Sequence, residues 1–299
     1  MRHFKPEKIL IPVDFSDTSL LAIKHGVFIA RFTKAELHLL HVVNLHYEAQ
    51  DLFLPYVQID QSEIENKAMS KLEALADELQ KEYGISSNCI IRTGSPSFEI
   101  VHVAEELNIS LIVMGTHGYA PLQEFIIGSV ALKVLTKSPC ATMAMNSDAD
   151  HKGYSKIVLP IDTSAHTRQK VNYAIEFAKQ FNASLLVLGL LGSDETNEKP
   201  GMELILSQVK ALAAETSVTC SITLLEQVKN RATATVEFTK HQGADLNIIM
   251  SDQDAELTGL FLGPYAQQII HASTVPVVAI KPLDLSANDG SILAGTSGL

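Results

Sequence analysis

Short runs rich in β-branched and apolar residues alternate along the chain with longer stretches whose apolar residues recur every three or four positions. The short runs are typical of buried strands and the longer stretches of amphipathic helices, so the alternation predicts parallel sheets wrapped by helices. In the first half we expect helices at 17–32, 62–83, 97–107 and 128–136, and strands at 8–13, 36–43, 87–92, 109–114 and 140–145.

The sequence of the first strand is repeated later in the chain. KILIPVD at 8–14 is answered by KIVLPID at 156–162, and the same offset of 148 residues relates Ala30 to Ala178 and Ala35 to Ala183. A repeat of this length predicts two copies of one domain. The second copy has strands near 156, 184, 218, 245 and 275, and helices near 166, 202, 231 and 263.

We therefore expect an α/β protein of two tandem domains, each an open five-stranded parallel sheet with helices on both faces. The domains are predicted at 1–146 and 155–283, and a short polar linker joins them. The small, Gly-rich tail at 284–299 is predicted to be poorly ordered.

Charge and composition limit the kinds of partner that we expect for this protein. The chain has 299 residues, 46% of them hydrophobic, and a net charge of −11 that is spread over both halves without any Lys/Arg cluster. Binding to DNA, RNA or an anionic membrane begins with neutralising phosphates, so we expect neither nucleic-acid nor membrane partners. The longest apolar stretch, 184–192, is too short to span a bilayer, and the three cysteines lie at unrelated spacings. These features favour a cytoplasmic protein.

A glycine loop carries the clearest chemistry. Residues 115–129 read GTHGYAPLQEFIIGS, which has the spacing Gly-x2-Gly-x9-Gly-Ser between a strand and a predicted helix. Glycine permits close backbone approach to an anion or positive φ, and a helix N-terminus attracts anions. Ligands of open α/β sheets bind at the carboxyl ends of strands where strand order reverses. If the first and fourth strands flank that point, the loop and Pro12-Val13-Asp14 form one phosphate-binding crevice.

Two common nucleotide motifs are missing from the sequence. There is no Gly-x4-Gly-Lys-Ser/Thr, and no Gly-x-Gly-x2-Gly follows the first strand. The sequence therefore supports neither a P-loop nor a dinucleotide site.

The segments ILIPVDFSDTS at 9–19, MGTHG at 114–118 and GSVALKVLTKSPC at 128–140 resemble the universal stress protein family in its ATP-binding subclass. The resemblance extends over residues 6–282. It implies a Rossmann-like fold similar to that of the adenine nucleotide alpha hydrolases, with ATP or AMP at the switch point, alone or with Mg²⁺. It also implies that the domains pair within the chain through their last strands, 141–145 and 277–281, and leaves a homodimer open.

The resemblance assigns nucleotide contacts to the ends of the first, second and fourth strands and to the start of the following helix. The first four residues below would line the adenine and ribose end, Val42 through its backbone, and the others would surround the ribose and phosphates. The residues are Pro12, Val13, Asp14, Val42, Met114, Gly115, His117, Gly118, Gly128, Ser129 and Val130.

Simpler interpretations exist for several of these residues. Gly115 and Gly118 could be ordinary turn glycines. Asp14 could cap the first helix together with Ser16, a role that is compatible with ligand binding. His117 could be a bystander near the loop.

The second copy of the loop, MSDQDAELTGLFLGP at 250–264, departs from the motif. In the sequence, Ser251 and Asp254 replace the two loop glycines, the gap is one residue shorter, and Pro264 stands at the position of the serine. Proline lacks the N–H that would meet a phosphate, and the acidic residues of this loop repel one. We therefore expect ATP in the first domain only.

The sequence offers no convincing nucleophile, activated base or metal cage. The leading hypothesis is a nucleotide-dependent regulatory or stress-response protein with an unknown protein partner. One alternative is a slow ATPase or adenylyl-transferring enzyme that uses Asp14 and Mg²⁺. A second is a dimerising scaffold that works without nucleotide.

Overall fold

The computed structural model describes residues 3–44, 61–117, 127–149, 153–164, 166–252 and 261–283. Gly118 and the predicted tail 284–299 lie outside the described residues. The strands are β1 Lys8–Pro12, β2 Glu36–Val43, β3 Ser87–Thr93, β4 Leu111–Gly115, β5 Ala141–Met145, β6 Lys156–Ile161, β7 Ser184–Leu190, β8 Cys220–Leu225, β9 Leu246–Met250 and β10 Val277–Ile280.

The described helices alternate with these strands, as the sequence pattern predicts. They are α1 Asp17–Thr33, α2 Gln61–Tyr83, α3 Pro96–Glu106, α4 Ser129–Lys137, α5 Val171–Phe181, α6 Lys199–Glu215, α7 Arg231–Gln242 and α8 Pro264–Ala272. Short 3₁₀ turns at Thr167–Lys170 and Thr196–Glu198 precede α5 and α6. None of the described helices is long and apolar enough to cross a membrane.

The strands form one sheet in the order β3-β2-β1-β4-β5-β10-β9-β6-β7-β8. Strands within each half run parallel, whereas β5 and β10 pair antiparallel, with Ala144 opposite Val277 and Thr142 opposite Ala279. The predicted α/β fold of two tandem domains is confirmed, and the two last strands meet within the chain.

Both faces of this sheet are covered, so its central strands are buried along their whole length. All five residues of β5 and all five of β9 are buried. Parallel strands that are packed by helices on both sides are buried in this way, and most of their residues are apolar. Two large hydrophobic clusters lie on the two faces, and each contains residues from both domains. The core is therefore continuous across the seam between the domains.

An aromatic cluster closes this seam on one face. Phe177 of α5 is fully buried, and its ring centroid lies 4.4 Å from that of Phe4, 5.3 Å from Tyr154 and 4.7 Å from Phe181. Phe28 of α1 stacks on Phe181 with centroids 5.7 Å apart. Because Phe4 and Phe28 belong to the first domain, these rings join the two halves.

Polar contacts surround the cluster. The N–H of Phe4 donates to the Glu176 carboxylate at 2.6 Å, and the Gln180 side-chain amide donates to the Phe32 carbonyl at 2.9 Å. Buried His25 of α1 contacts the Tyr154 hydroxyl at 2.8 Å. The N-terminal segment thus packs on the second domain, and the segment that leads into β6 packs on the first.

We expect Phe177→Ala to lower the free energy of unfolding of the whole chain by about 3–5 kcal/mol, because it opens a cavity among rings from both domains. Urea denaturation followed by circular dichroism measures this change. Phe98→Ala serves as the control: Phe98 is 65% exposed, and its loss should cost well under about 1 kcal/mol. Equal losses of unfolding free energy in the two variants would contradict the proposed contribution of the aromatic cluster to stability.

Candidate functional site

The strand order reverses between β1 and β4 in the first domain. From β1 the chain proceeds outward to β2 and β3, and it then returns to β4 on the other side of β1, with Ile9 beside Leu111. Ligands of open α/β sheets bind at the carboxyl ends of the strands that flank such a point. The residues after Pro12 and after Met114 therefore line one crevice.

The end of β1 is held by β2. The Val13 N–H donates to the Leu40 carbonyl at 2.8 Å, and the His41 ring nitrogen Nδ1 contacts the Val13 carbonyl at 2.7 Å. In parallel strands the N–H and C=O of one residue point to the same side, and alternate residues repeat that direction. Val42 follows Leu40 by two residues, so its backbone groups point to the β1 side, beyond the end of β1 at Pro12.

Asp14 lies exposed at the mouth of this crevice. Its Oδ1 accepts hydrogen bonds from the Ser16 N–H at 3.0 Å and from the Ser16 hydroxyl at 2.5 Å. Ser16 is the N-cap of α1 and accepts from the Ser19 N–H. Asp14 thus supports the helix cap, and its exposed carboxyl group remains part of the crevice wall.

Gly115 allows β4 to approach α1 closely. A Cβ at Gly115 would lie 2.9 Å from both Cβ and Oγ1 of Thr18, a distance that real Cβ atoms do not tolerate. The Thr18 hydroxyl donates to the carbonyl of His117, which binds the start of α1 to the loop after β4. The glycine is therefore required first by packing between protein atoms.

Gly128 closes the other end of the loop in a similar way. Its N–H donates to the Thr116 carbonyl at 2.9 Å, and a Cβ would lie 2.9 Å from that same oxygen. Its φ is −58°, so positive φ is not the reason for glycine here. Each glycine is thus required by packing against another part of the protein, and its contact with an anion stays a prediction.

The start of α4 is suited to an anion. No acidic residue lies in its first turn, Gly128 is the N-cap without a side-chain hydrogen bond, and Lys137 lies in the last turn. The Leu132 N–H donates to the Gly128 carbonyl, so the amides from Ser129 to Ala131 precede the first intrahelical hydrogen bond. The orphan amides and the helix dipole favour negative charge at this end. Ser129 is exposed, Val130 is half-buried and Met114 is buried.

The backbone bonds of the second domain give the true register of the repeat. The Ser251 N–H donates to Ile280, as the Thr116 N–H donates to Met145, both at 2.8 Å. The Gly263 N–H donates to the Ser251 carbonyl at 2.9 Å, as Gly128 does to Thr116. The offset between the copies is therefore 135 residues in this part of the chain.

This register places Met250, not Ser251, at the position of Gly115. The alignment made from sequence is wrong by one residue, and the gap that precedes Gly263 is not shortened. The sequence is misleading here because Met250 is apolar and continues the strand, whereas its counterpart in the first domain is a glycine.

Side chains fill the corresponding crevice of the second domain. Met250 is fully buried where Gly115 leaves room for α1. Asp252 is 7% exposed, and its Oδ1 lies 3.3 Å from the position that a Cβ of Gly263 would take. A carboxylate of the protein thus lies beside the start of α8, and Pro264 supplies no N–H at the first helical position.

Sequence reasoning missed a buried lysine at this place. Lys170 is fully buried at the position of Ala22, and its Nζ lies 3.3 Å from the Thr167 hydroxyl. Asp162, the counterpart of Asp14, is 2% exposed. Burial lowers the pKa of Lys170 to about 8, although the Asp162 carboxylate opposes this shift. The signal available in the sequence was a lysine on the apolar face of a predicted helix.

Comparisons with known proteins agree with the fold. The profile of the Universal stress protein family matches residues 6–145 and 153–281. A universal stress protein of Methanocaldococcus jannaschii is 34% identical over 146 residues, which cover 44% of this chain and 90% of that protein. One from Mycobacterium tuberculosis is 23% identical over 296 residues, which cover 93% of this chain and 99% of that protein.

Among solved structures, a universal stress protein from Archaeoglobus fulgidus matches with a TM-score of 0.74 at 20% identity, covering 93% of this chain and 99% of that one. The fold and the repeated crevice define a tandem two-domain α/β protein. The two profile matches then show that the chain belongs to the universal stress protein family.

We expect Gly128→Ala to destabilise the first domain by about 1–3 kcal/mol, because the new methyl group would collide with a backbone oxygen that cannot move independently. Thermal or urea denaturation measures the change. Gly201→Ala is the matched control, since nothing lies within 4 Å of a Cβ there. The control should be neutral or stabilising by up to about 1 kcal/mol.

Lys170 should make stability depend on alkaline pH. Its pKa is about 8 in the folded chain, below the value of 10.5 for a free lysine, so the unfolded chain binds more protons between these values. Stability from this group therefore rises with pH. The unfolding free energy of the wild type relative to Lys170→Met should increase by about 2 kcal/mol between pH 7 and 9.5.

Denaturation curves at several pH values test this expectation. Lys179→Met, at an exposed lysine of α5, should show no such trend relative to the wild type. If the difference in unfolding free energy between the wild type and Lys170→Met does not change with pH, burial does not lower the pKa of Lys170.

Proposed function

We propose that this protein is an ATP-binding regulatory protein that takes one adenine nucleotide, in its first domain. The observation that carries the proposal is the start of α4. It is free of acidic residues, its first amides lack intrahelical partners, and Gly128 attaches it to the β4 loop beside the end of β1. An anion-binding helix end at the switch point of the sheet is the arrangement that suits a nucleotide phosphate.

The residues present fit an adenine nucleotide. The backbone groups of Val42, which point past the end of β1, would meet the edge of the base, and Pro12, Val13 and Asp14 would line the base and ribose. Met114, Gly115 and His117 would enclose the ribose and phosphates. Ser129 and Val130 would hold the phosphates through their backbone N–H groups and the serine hydroxyl, and Gly128, whose own N–H donates to Thr116, would let the backbone approach the phosphates closely. Gly118 would join them from the part of the loop that the structure does not describe.

The second domain is proposed to bind no nucleotide. Met250 occupies the space beside the helix that follows β6, Asp252 puts a negative charge where a phosphate would approach α8, and Pro264 removes an amide donor. A carboxylate a few ångströms from a phosphate costs about a few kcal/mol at an intermediate dielectric constant, and each 1.4 kcal/mol is tenfold in affinity.

In the proposed role, the bound nucleotide changes the surface that this protein presents to a protein partner. Asp14 Oδ1 is engaged by both donors of Ser16, which suits a residue that holds the crevice in shape. Within the described residues, no cluster of three or more His, Cys, Asp or Glu side chains is placed to hold a metal ion. A stress-response role and the cytoplasm remain predictions that follow from the family and the composition.

Calorimetric titration with ATP should give one site per chain. Ser129→Pro copies the residue of the second domain and removes both the N–H and the hydroxyl that are proposed to bind phosphate. It should therefore weaken ATP binding by at least roughly 10- to 100-fold, the loss expected for one charge-assisted hydrogen bond. Proline suits the first helical position, so folding should be preserved.

Pro264→Ser is the mirror control and should leave one site per chain. Two sites in the wild type would overturn the argument for the second domain. No binding at all would overturn the nucleotide proposal and favour a scaffold.

A further inference from the structure

A chain of buried polar side chains crosses the second domain. Asn247 in the middle of β9 is fully buried, and its side-chain amide donates to the Ser273 hydroxyl at 3.1 Å. The Thr239 hydroxyl of α7 donates to the Asn247 side-chain oxygen at 2.7 Å. One turn earlier, the buried Thr235 hydroxyl lies 3.1 Å from the Tyr265 hydroxyl of α8. The Thr239 hydroxyl also lies 2.8 Å from the Thr235 backbone carbonyl, so one turn of α7 connects the two pairs.

The first domain has apolar residues at the same places. At the offset of 135 residues given by the backbone register, four of the five polar positions correspond to aliphatic side chains. The counterparts of Asn247, Thr239, Thr235 and Tyr265 are Ile112, Ala104, Ile100 and Val130. The fold therefore packs without polar groups at these positions, as its own first domain demonstrates.

Placing polar side chains at these buried positions costs free energy unless each of their polar groups has a hydrogen-bond partner. A buried amide or hydroxyl loses its water, and only hydrogen bonds within the protein offset that loss. When it is satisfied, a buried polar network holds its members in one arrangement, because displacing any one of them leaves its neighbours unpaired. The network thus makes the positions of β9, α7 and α8 depend on one another.

One end of the network reaches the first domain. The Ser273 carbonyl, at the end of α8, accepts from the Asn146 side-chain amide at 2.7 Å. Asn146 directly follows Met145, whose carbonyl accepts from the Thr116 N–H at 2.8 Å and lies 3.2 Å from the Thr116 hydroxyl. Thr116 also accepts from Gly128 at the start of α4. Two residues, Met145 and Asn146, and two hydrogen bonds therefore separate Ser273 from the proposed phosphate loop at Thr116.

The other end reaches the filled crevice of the second domain. Burial raises the pKa of Tyr265, and the nearby Asp162 carboxylate raises it further. The hydroxyl therefore stays protonated and keeps its contact with Thr235. The network joins the nucleotide site of one domain to the altered crevice of the other.

We propose that the polar network from Asn146 to Tyr265 couples nucleotide binding in the first domain to the rigidity of the second. This inference rests on the proposed nucleotide site. A bound phosphate immobilises the loop at Thr116, which immobilises Asn146 and strengthens its bond to Ser273. Ordering one member of a satisfied network then reduces the local opening of the others.

Amide hydrogen exchange, followed by mass spectrometry with and without ATP, tests the coupling. Peptides that contain the α8–β10 turn at 269–276 and strand β9 should exchange about fivefold or more slowly when ATP is bound. These peptides lie in the domain that is proposed not to bind nucleotide. ATP binding is measured by calorimetry on the same samples.

Two variants remove the coupling at different points. Asn146→Leu removes the bond at the seam, and Asn247→Ile combined with Thr239→Ala and Thr235→Ile installs the residues of the first domain. Both should bind ATP about as tightly as the wild type but lose the protection of peptide 269–276. Gln180→Ala breaks a different hydrogen bond between the domains, the one to Phe32 at 2.9 Å, and should keep the protection.

The outcomes separate this inference from the proposed function. If ATP binds but the second domain shows no slowing in the wild type, or if Asn146→Leu keeps the slowing, the coupling is wrong while the nucleotide site stands. If calorimetry finds no ATP binding, the proposed function fails and the coupling fails with it. If the triple variant does not fold, Asn146→Leu alone decides the question.

Discussion

The antiparallel pairing of β5 with β10 is the constraint on which the rest of the structure depends. It joins two parallel five-stranded sheets into one and removes the edge that each domain would otherwise expose. Because the strands of the two halves then run in opposite directions, their carboxyl ends point to opposite sides of the sheet. The crevice of each domain is therefore placed beside the amino ends of its twin's strands, and the two hydrophobic clusters continue across the seam.

The two domains keep equivalent backbone hydrogen bonds but differ in the side chains at the crevice. The first copy has small residues at the places that set the crevice, Gly115 and Ala22, and an exposed Asp14. The second has Met250 and Lys170 at the first two of these places. Each substitution puts a larger side chain into a space between strand and helix, and the helix after β6 starts with a 3₁₀ turn where α1 begins as an α-helix. These larger side chains thus belong to the protein interior of the second domain.

Much of the fold could be read from the sequence, because strands buried on both faces leave continuous apolar runs and a repeat shows itself by its offset. The strand-and-helix order, the tandem domains and the paired last strands are all found. The roles of Gly115 and Gly128 were not predictable in full, because the atoms that crowd them belong to Thr18 and Thr116, and no local pattern reveals those contacts. The register of the second loop failed for a related reason, since Met250 resembles a strand residue.

The sequence by itself determined the fold class, the repeat and the candidate nucleotide loop, because these depend on periodicity and on the spacing of glycines along the chain. The tertiary structure alone decided which side chains meet. It brings Lys170 beside Asp162, Asp252 beside the start of α8, and Asn146 against Ser273. These partners are distant in sequence or packed within a crowded turn, and their burial, which sets the cost of each polar group, exists only once the sheets have closed around them.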